Sequence, residues 1–261
     1  MGWSISKVQR IESGDNAVSG TDLRALLDLY GVTDMEEIEQ LSEEARISRR
    51  QRWWTTPEFR QHLTPAMMQY LQFEAEAVAI RTYQPVIVPG LFQAPAYASF
   101  VLNFFGASLN GDEQRVRLDV RVRRQNQILA AGDGPRNFVI LDESVLKREI
   151  GGPEVMADQL DQLVDIAGKP NVNIRIIPFD QGAILGLGGH FEVIELSEDD
   201  LEDAVLYRES FTKDSLDHDA KEVAFHREMF EKFWERSLNE EKTVRAIAAE
   251  AASLRARIDR S

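Results

Sequence analysis

The chain has 261 residues, no cysteine, and 30 Lys+Arg against 44 Asp+Glu, a net charge of −14. This length predicts one large domain, or a large one with a small appendage, and the missing thiols exclude disulfides, Cys-based zinc or iron–sulfur centres and a thiol nucleophile. The acidic balance argues against a globally basic nucleic-acid binder; no run nears the roughly 18 apolar residues of a membrane span and Met1-Gly2-Trp3 opens no signal peptide, so a soluble, cytoplasmic chain with no membrane partner is expected.

The first predicted element is a helix over 4–13. Ser4 stands as its cap, Ile5, Val8 and Ile11 form one apolar stripe, and Gly14 stops it. A second helix starts at Ser19 or Thr21, turns Leu23, Leu26, Leu27 and Tyr30 to one face and ends at Gly31. Asp34 or Thr33 then caps an acidic helix over 35–41. Arg46, Arg49, Arg50 and Arg52 follow, either as a phosphate-touching connector or as a charged helix paired to the acids at 36–44. Trp53-Trp54 is expected to anchor this connector on the main domain, because rings of that size seldom stay exposed.

Residues 65–81 are expected to form a helix with Met68, Leu71, Phe73, Ala75 and Ile80 inward. Residues 83–93, with two prolines and a glycine, read as an irregular buried connection. A long helix over 112–131 places Arg117, Arg121 and Arg124 on one face. Strands are predicted over 138–141, 171–178, 191–196 and 204–209, and helices over 144–150, 153–168, 219–236 and 240–259. The order predicts an α+β fold: a small all-helical piece, then a larger helical domain with a small mixed or antiparallel sheet. The expected organisation is 1–42, a charged linker over 43–66, and 67–261.

The stretch Gly2-Trp3-Ser4-x-Ser6-Lys7-Val8-x-Arg10-Ile11-Glu12-x-Gly14, followed by Asp22-Leu23-Arg24-Ala25-Leu26-Leu27, resembles the second half of an Xre-type helix-turn-helix. That resemblance implies a recognition helix with Ser4, Ser6, Lys7, Gln9 and Arg10 facing DNA, seated by Ile5, Val8 and Ile11. The family places two more helices before this point, so the motif reads as N-terminally truncated. Residues 1–31 hold Lys7, Arg10 and Arg24 against Glu12, Asp15, Asp22 and Asp28, which offers little phosphate attraction. The expectation is a chain that needs the missing helices or a partner protein to bind DNA selectively. The plainer alternative is a helical appendage.

A second resemblance spans roughly residues 70–258. It rests on Phe73-Glu74-Ala75-Glu76-Ala77, Val88-Pro89-Gly90-Leu91-Phe92-Gln93 with Tyr97, Arg121-x-Arg123-Arg124-Gln125, Asp142-Glu143-Ser144-x-Leu146, Gly151-Gly152-Pro153 and Gly189-His190-Phe191. These motifs are similar to the antitoxin-like transcriptional regulator domain that follows an Xre-type helix-turn-helix in bacterial regulators. The resemblance implies a gene regulator whose second domain senses a small molecule or a small partner protein. Phe92, where leucine is common, and Leu206-Tyr207-Arg208-Glu209 depart from the usual pattern and leave the ligand open.

No G-x-S-x-G, H-E-x-x-H or Walker lysine motif is present, which leans against an enzyme, and no cofactor or metal is expected. Residues 182–189 are glycine-rich but lie between predicted strands and read as a flexible connection. The polar candidates for a ligand site are Glu74, Gln93, Tyr97, Arg121, Arg124, Gln125, Glu143, Arg148, His190, Tyr207 and Glu209, with Tyr83, Phe92, Tyr97, Phe191 and Tyr207 as aromatic walls. The same charges could instead form a satisfied network that fixes the 112–131 helix. Were the domain catalytic, His190 with Glu143 or Tyr207 would be the acid–base pair. Val244, Ile247, Ala251, Leu254 and Ile258 form a heptad-like seam, read as core docking onto the preceding helix or as a homodimer helix.

Overall fold

The structure, a computed structural model, describes residues 3, 11, 18–48, 52–105, 111–129, 134–181, 188–200, 203–209 and 214–260. The chain divides into two compact units, Met1–Arg60 and Gln61–Ser261. In the first unit, helix α1 (Gly20–Tyr30) is capped by Ser19, whose hydroxyl accepts from the Asp22 N–H at 3.1 Å. Gly31 ends it in the left-handed conformation at φ 72°, which a side chain would strain. Asp34 starts α2 (Met35–Ser48), which runs well past the predicted end at 41. Leu27 and Ala45 are buried, while Tyr30, expected inward, is exposed. The short helix α3 (Pro57–Arg60) buries Phe59, and the Trp53 ring meets Phe59 and Trp54 edge-on at 5.1 and 5.2 Å. Ser4, Ser6, Lys7, Gln9 and Arg10 lie outside the described residues, as do the side chains of Arg46, Arg49 and Arg50.

The second unit opens with α4 (Pro65–Glu76), where Thr64 caps and Pro65 fills a position that needs no N–H donor. The helix does not run on to 81. Ala77 turns extended, and β1 (Ala79–Gln84) becomes an interior strand of the sheet. Its Ile80, Thr82 and Tyr83 suit a pleated surface, and pairing on both edges outweighs helix propensity there. Then come α5 (Pro95–Phe105), α6 (Gly111–Ile128), β2 (Arg136–Asp142), α7 (Ser144–Lys147), α8 (Pro153–Ala167), β3 (Val172–Ile177), β4 (Phe191–Glu195), β5 (Ala204–Glu209), β6 (Asp214–Asp217), α9 (Ala220–Arg236) and α10 (Glu240–Ile258). Strand β1, helix α5 and strand β6 were not anticipated from the sequence.

The α+β expectation holds. The six strands lie in the order β3-β2-β1-β4-β5-β6, parallel among β3, β2 and β1 and antiparallel from β1 to β6. Side-chain alternation divides the sheet into two faces. Helix α9 covers one, where Phe230 and Phe233 pack with Tyr83, Phe191, Val193 and Leu206. On the other face α8 and α10 pack on β3, and Val139, Leu141, Ile174 and Ile176 join Leu160 and Leu163 in the core. Along the seam of α10, Ile247, Ala251 and Leu254 are buried, and the helix packs on α8 rather than on α9. The outer edge of β3 is closed as well, because Ile176 donates to Thr243 Oγ1 at 3.2 Å and accepts from the Leu238 N–H at 2.8 Å.

Candidate ligand site on the sheet face under α4 and α6

Thr82, Glu192, Tyr207 and Leu216 are direct partners across β1, β4, β5 and β6, so they share one face. This is the face opposite α9, and α4 and α6 lie over it. From α4, Tyr70 stacks on Tyr207 at 4.4 Å between ring centroids. From α6, the face with Val116, Val120 and Ile128 buried also carries Arg124 inward.

Arg124 is only 8% exposed and Glu74 2%. The guanidinium forks onto that carboxylate, with Nε 2.8 Å from Oε2 and Nη2 2.6 Å from Oε1. Nη2 also donates to the Tyr70 hydroxyl at 2.8 Å. That hydroxyl lies 3.1 Å from Glu74 Oε1 and 2.8 Å from Glu192 Oε2. Burial opposes the Arg124 charge, but Glu74, Tyr70 and Glu192 together outweigh it and the guanidinium stays protonated. Burial pushes the Glu192 carboxyl up to about 7, against the pull of Arg124, and holds Tyr70 well above its ordinary value.

Toward the ends of β5 and β6 the pattern changes. Glu209 and Asp214 are cross-strand partners, two like charges side by side. Their neighbours are His190, Arg117 and Arg121. Arg121 Nε donates to Gln93 Oε1 at 3.2 Å and Nη1 to the Arg117 carbonyl at 3.3 Å. Among the described residues, no ion pair joins Arg117 or Arg121 to either acid. Burial and then Arg124 pull Arg121 down to about 10, with Glu209 opposing. Burial and then Glu209 raise Asp214, while Arg117 and His190 oppose. Burial lowers His190, and burial followed by Glu209 raises Tyr207. Both His190 ring nitrogens are shut off from solvent and, among the described residues, have no hydrogen-bond partner, although the Tyr83 backbone lies near enough to favour the charged ring.

Gln93 links the two ends. It takes Arg121 on its oxygen, donates Nε2 to the Val88 carbonyl at 2.8 Å, and receives Gln125 Nε2 on its own carbonyl at 2.8 Å.

The fold therefore gathers Glu74, Gln93, Arg121, Arg124, Gln125, His190, Tyr207 and Glu209, and leaves Tyr83, Phe92, Tyr97, Glu143, Arg148 and Phe191 elsewhere. Tyr83 points to the α9 face, toward Phe233 at 4.8 Å, so it is not a wall of this site; neither is Phe191. Phe92 is core, and its carbonyl receives Gln159 Nε2 at 2.9 Å. Tyr97 is also core: its hydroxyl accepts from the Val88 N–H at 3.2 Å, and burial raises it to about 12. Glu143 accepts from the Phe179 N–H at 3.0 Å in the turn after β2, so the His190–Glu143 pair is not formed. Sequence reasoning missed Tyr70, Glu192 and Asp214. The one signal was a lone glutamate between Phe191 and Val193 in an apolar strand. Among the described residues, no group of three or more His, Asp or Glu could hold a metal, and no helix is long and apolar enough to cross a membrane.

Residues 1–41 match a helix-turn-helix domain, and residues 67–249 match the family described as a domain of unknown function (DUF5753). No curated protein and no solved structure matches the chain. The second match takes in every group of the site, from Tyr70 on α4 to Asp214 on β6, and well over half of the sequence: the chain belongs to the DUF5753 family and carries a helix-turn-helix domain at its N-terminus.

Proposed function

We propose that the chain is a DNA-associated transcriptional regulator of the Xre type whose larger unit senses a small molecule at the Arg121–Asp214 end of this site. One observation carries the sensing part: two arginines and two carboxylates share a neighbourhood with a buried histidine, yet among the described residues none of the four charges is paired with another. Groups so arranged are kept for an outside partner, whereas Arg124 on the same helix is fully engaged. Donors and acceptors are balanced there, so the matching ligand is small, polar and near neutral overall, with one end for Arg117 and Arg121 and another for Glu209 and Asp214. Binding of a small partner protein at the same groups is the other form of this reading. A homodimer on paired half-sites is the assembly that helix-turn-helix readers use.

The net charge of −14 favours a second reading, a small-molecule binder that no longer reads DNA. Selection of duplexes from a random library by the full chain, read by fluorescence anisotropy at about 150 mM salt, separates the two. Enrichment of one sequence supports the regulator. Uniform weak binding supports the binder. A thermal-shift screen of free amino acids, simple amines and simple carboxylates then tests the site: a shift with a dipolar compound that Arg121→Met abolishes is expected, and no shift with any of them contradicts sensing by a small polar ligand.

A further inference from the structure

We infer that Glu192 is a proton-binding site: it is a neutral acid that donates to Tyr70, and losing its proton loosens α4 and α6 from β4. The hydrogens around Tyr70 balance only with one carboxyl protonated. Five hydrogen bonds hold Arg124, Glu74, Tyr70 and Glu192 together. Arg124 Nε contributes one hydrogen, to Glu74 Oε2. Its Nη2 contributes two, to Glu74 Oε1 and to the Tyr70 hydroxyl. Tyr70 has a single hydrogen but lies against two carboxylate oxygens, Glu74 Oε1 and Glu192 Oε2. The fifth hydrogen must come from a carboxylic acid.

Glu74 is the wrong acid, because both its oxygens already accept from the Arg124 fork and a carboxylate is what that fork recognises. Among the described residues, Glu192 has no cation of its own at this distance. With the proton on Glu192, the chain reads Glu192 to Tyr70 to Glu74, every bond has its hydrogen, and the buried group carries one positive and one negative charge. Without it, two buried carboxylates share one guanidinium and one contact with Tyr70 becomes oxygen against oxygen.

The other groups that face Glu192 do not change this balance. On β5 they are Tyr207, a neutral phenol, and Glu209, whose charge favours the protonated acid. On β1, Thr82 has no charge to offer. Asp214 on β6 adds a further carboxylate beyond Tyr207, and His190, just ahead of β4, is held toward its neutral form by burial. Arg121, close enough to Arg124 to act on its charge, is turned to Gln93. Burial and the carboxylates therefore act together, and the carboxyl is raised to about 7. The device then operates inside the ordinary range of cell pH.

The test compares the full wild-type chain with Glu192→Gln by thermal melting at matched pH values from about 5 to about 8. The amide of that variant keeps an N–H donor for Tyr70 and cannot ionise, so the melting-temperature gap should move in its favour as pH rises through about 7. A gap that stays constant with pH overturns the inference. If the variant fails to fold, infrared spectroscopy of the wild type decides. A carboxylic-acid C=O band that persists at neutral pH and fades at alkaline pH is expected, and its absence at neutral pH overturns the inference.

Discussion

Arg124 and Arg121 lie one turn apart on α6, and their surroundings could hardly differ more. Arg124 is forked onto Glu74, bonded to Tyr70, and stacked over the Tyr70 ring with Cζ 4.9 Å from its centroid. Among the described residues, Arg121 hydrogen-bonds only a glutamine oxygen and a backbone carbonyl, although Glu209 is near enough to act on its charge. One face of one helix thus carries both a paired and, among the described residues, an unpaired arginine. What assigns the task is whether a counter-charge is already bound.

Arg124→Met should break the inner end. It leaves the Glu74 carboxylate buried with no cation, so urea unfolding should show a loss of about 3–5 kcal/mol. A loss under about 1 kcal/mol would mean that the inner end does not hold α4 to α6. A pH series sharpens the comparison next. The folded-state pKa of Glu192, about 7, lies above the ordinary 4.5, so its stabilising contribution is complete below about 4.5 and is lost as pH rises through about 7. At about 1.4 kcal/mol per pKa unit, the wild type should lose about 3 kcal/mol relative to Glu192→Gln across that window. A loss of the opposite sign would place an ionised Glu192 in the folded state.

Gln93→Leu comes third, because it leaves the buried Val88 carbonyl without its donor; urea unfolding should register about 1–3 kcal/mol. Arg121→Met should have the smallest effect on stability. No ion pair among the described residues is lost with it, so the melting temperature should stay within a few degrees of wild type while the thermal response to a dipolar ligand disappears. A large loss of stability there would erase the distinction between the two ends.

Much of the frame was legible in the sequence because it is written locally. Ser19 and Gly31 bound α1 as capping chemistry requires, and the 204–209 strand has the predicted ends. The face shared by Arg117, Arg121 and Arg124 followed from helical spacing alone. Strand β1 was not legible: Ala-Ile-Arg-Thr-Tyr-Gln follows a helix without a glycine or proline to mark the break, and only its pairing with β2 and β4 makes it a strand. Missing that strand also misplaced Tyr83, since the alternation sends its ring to the α9 face. The inner end of the site was hidden for a related reason. Tyr70 meets Glu192 across 122 residues of sequence, a pairing that no local pattern encodes.

The central claim is that the inner and outer ends of the arginine face do different work, and two double-mutant cycles by urea unfolding test it in one experiment. For Arg124 with Glu74 the coupling should reach about 3 kcal/mol, the upper range for residues in direct contact. For Arg121 with Glu209 it should stay below about 0.5 kcal/mol, as for groups that share no bond. Comparable coupling in both cycles would make the whole face one structural network and contradict the account.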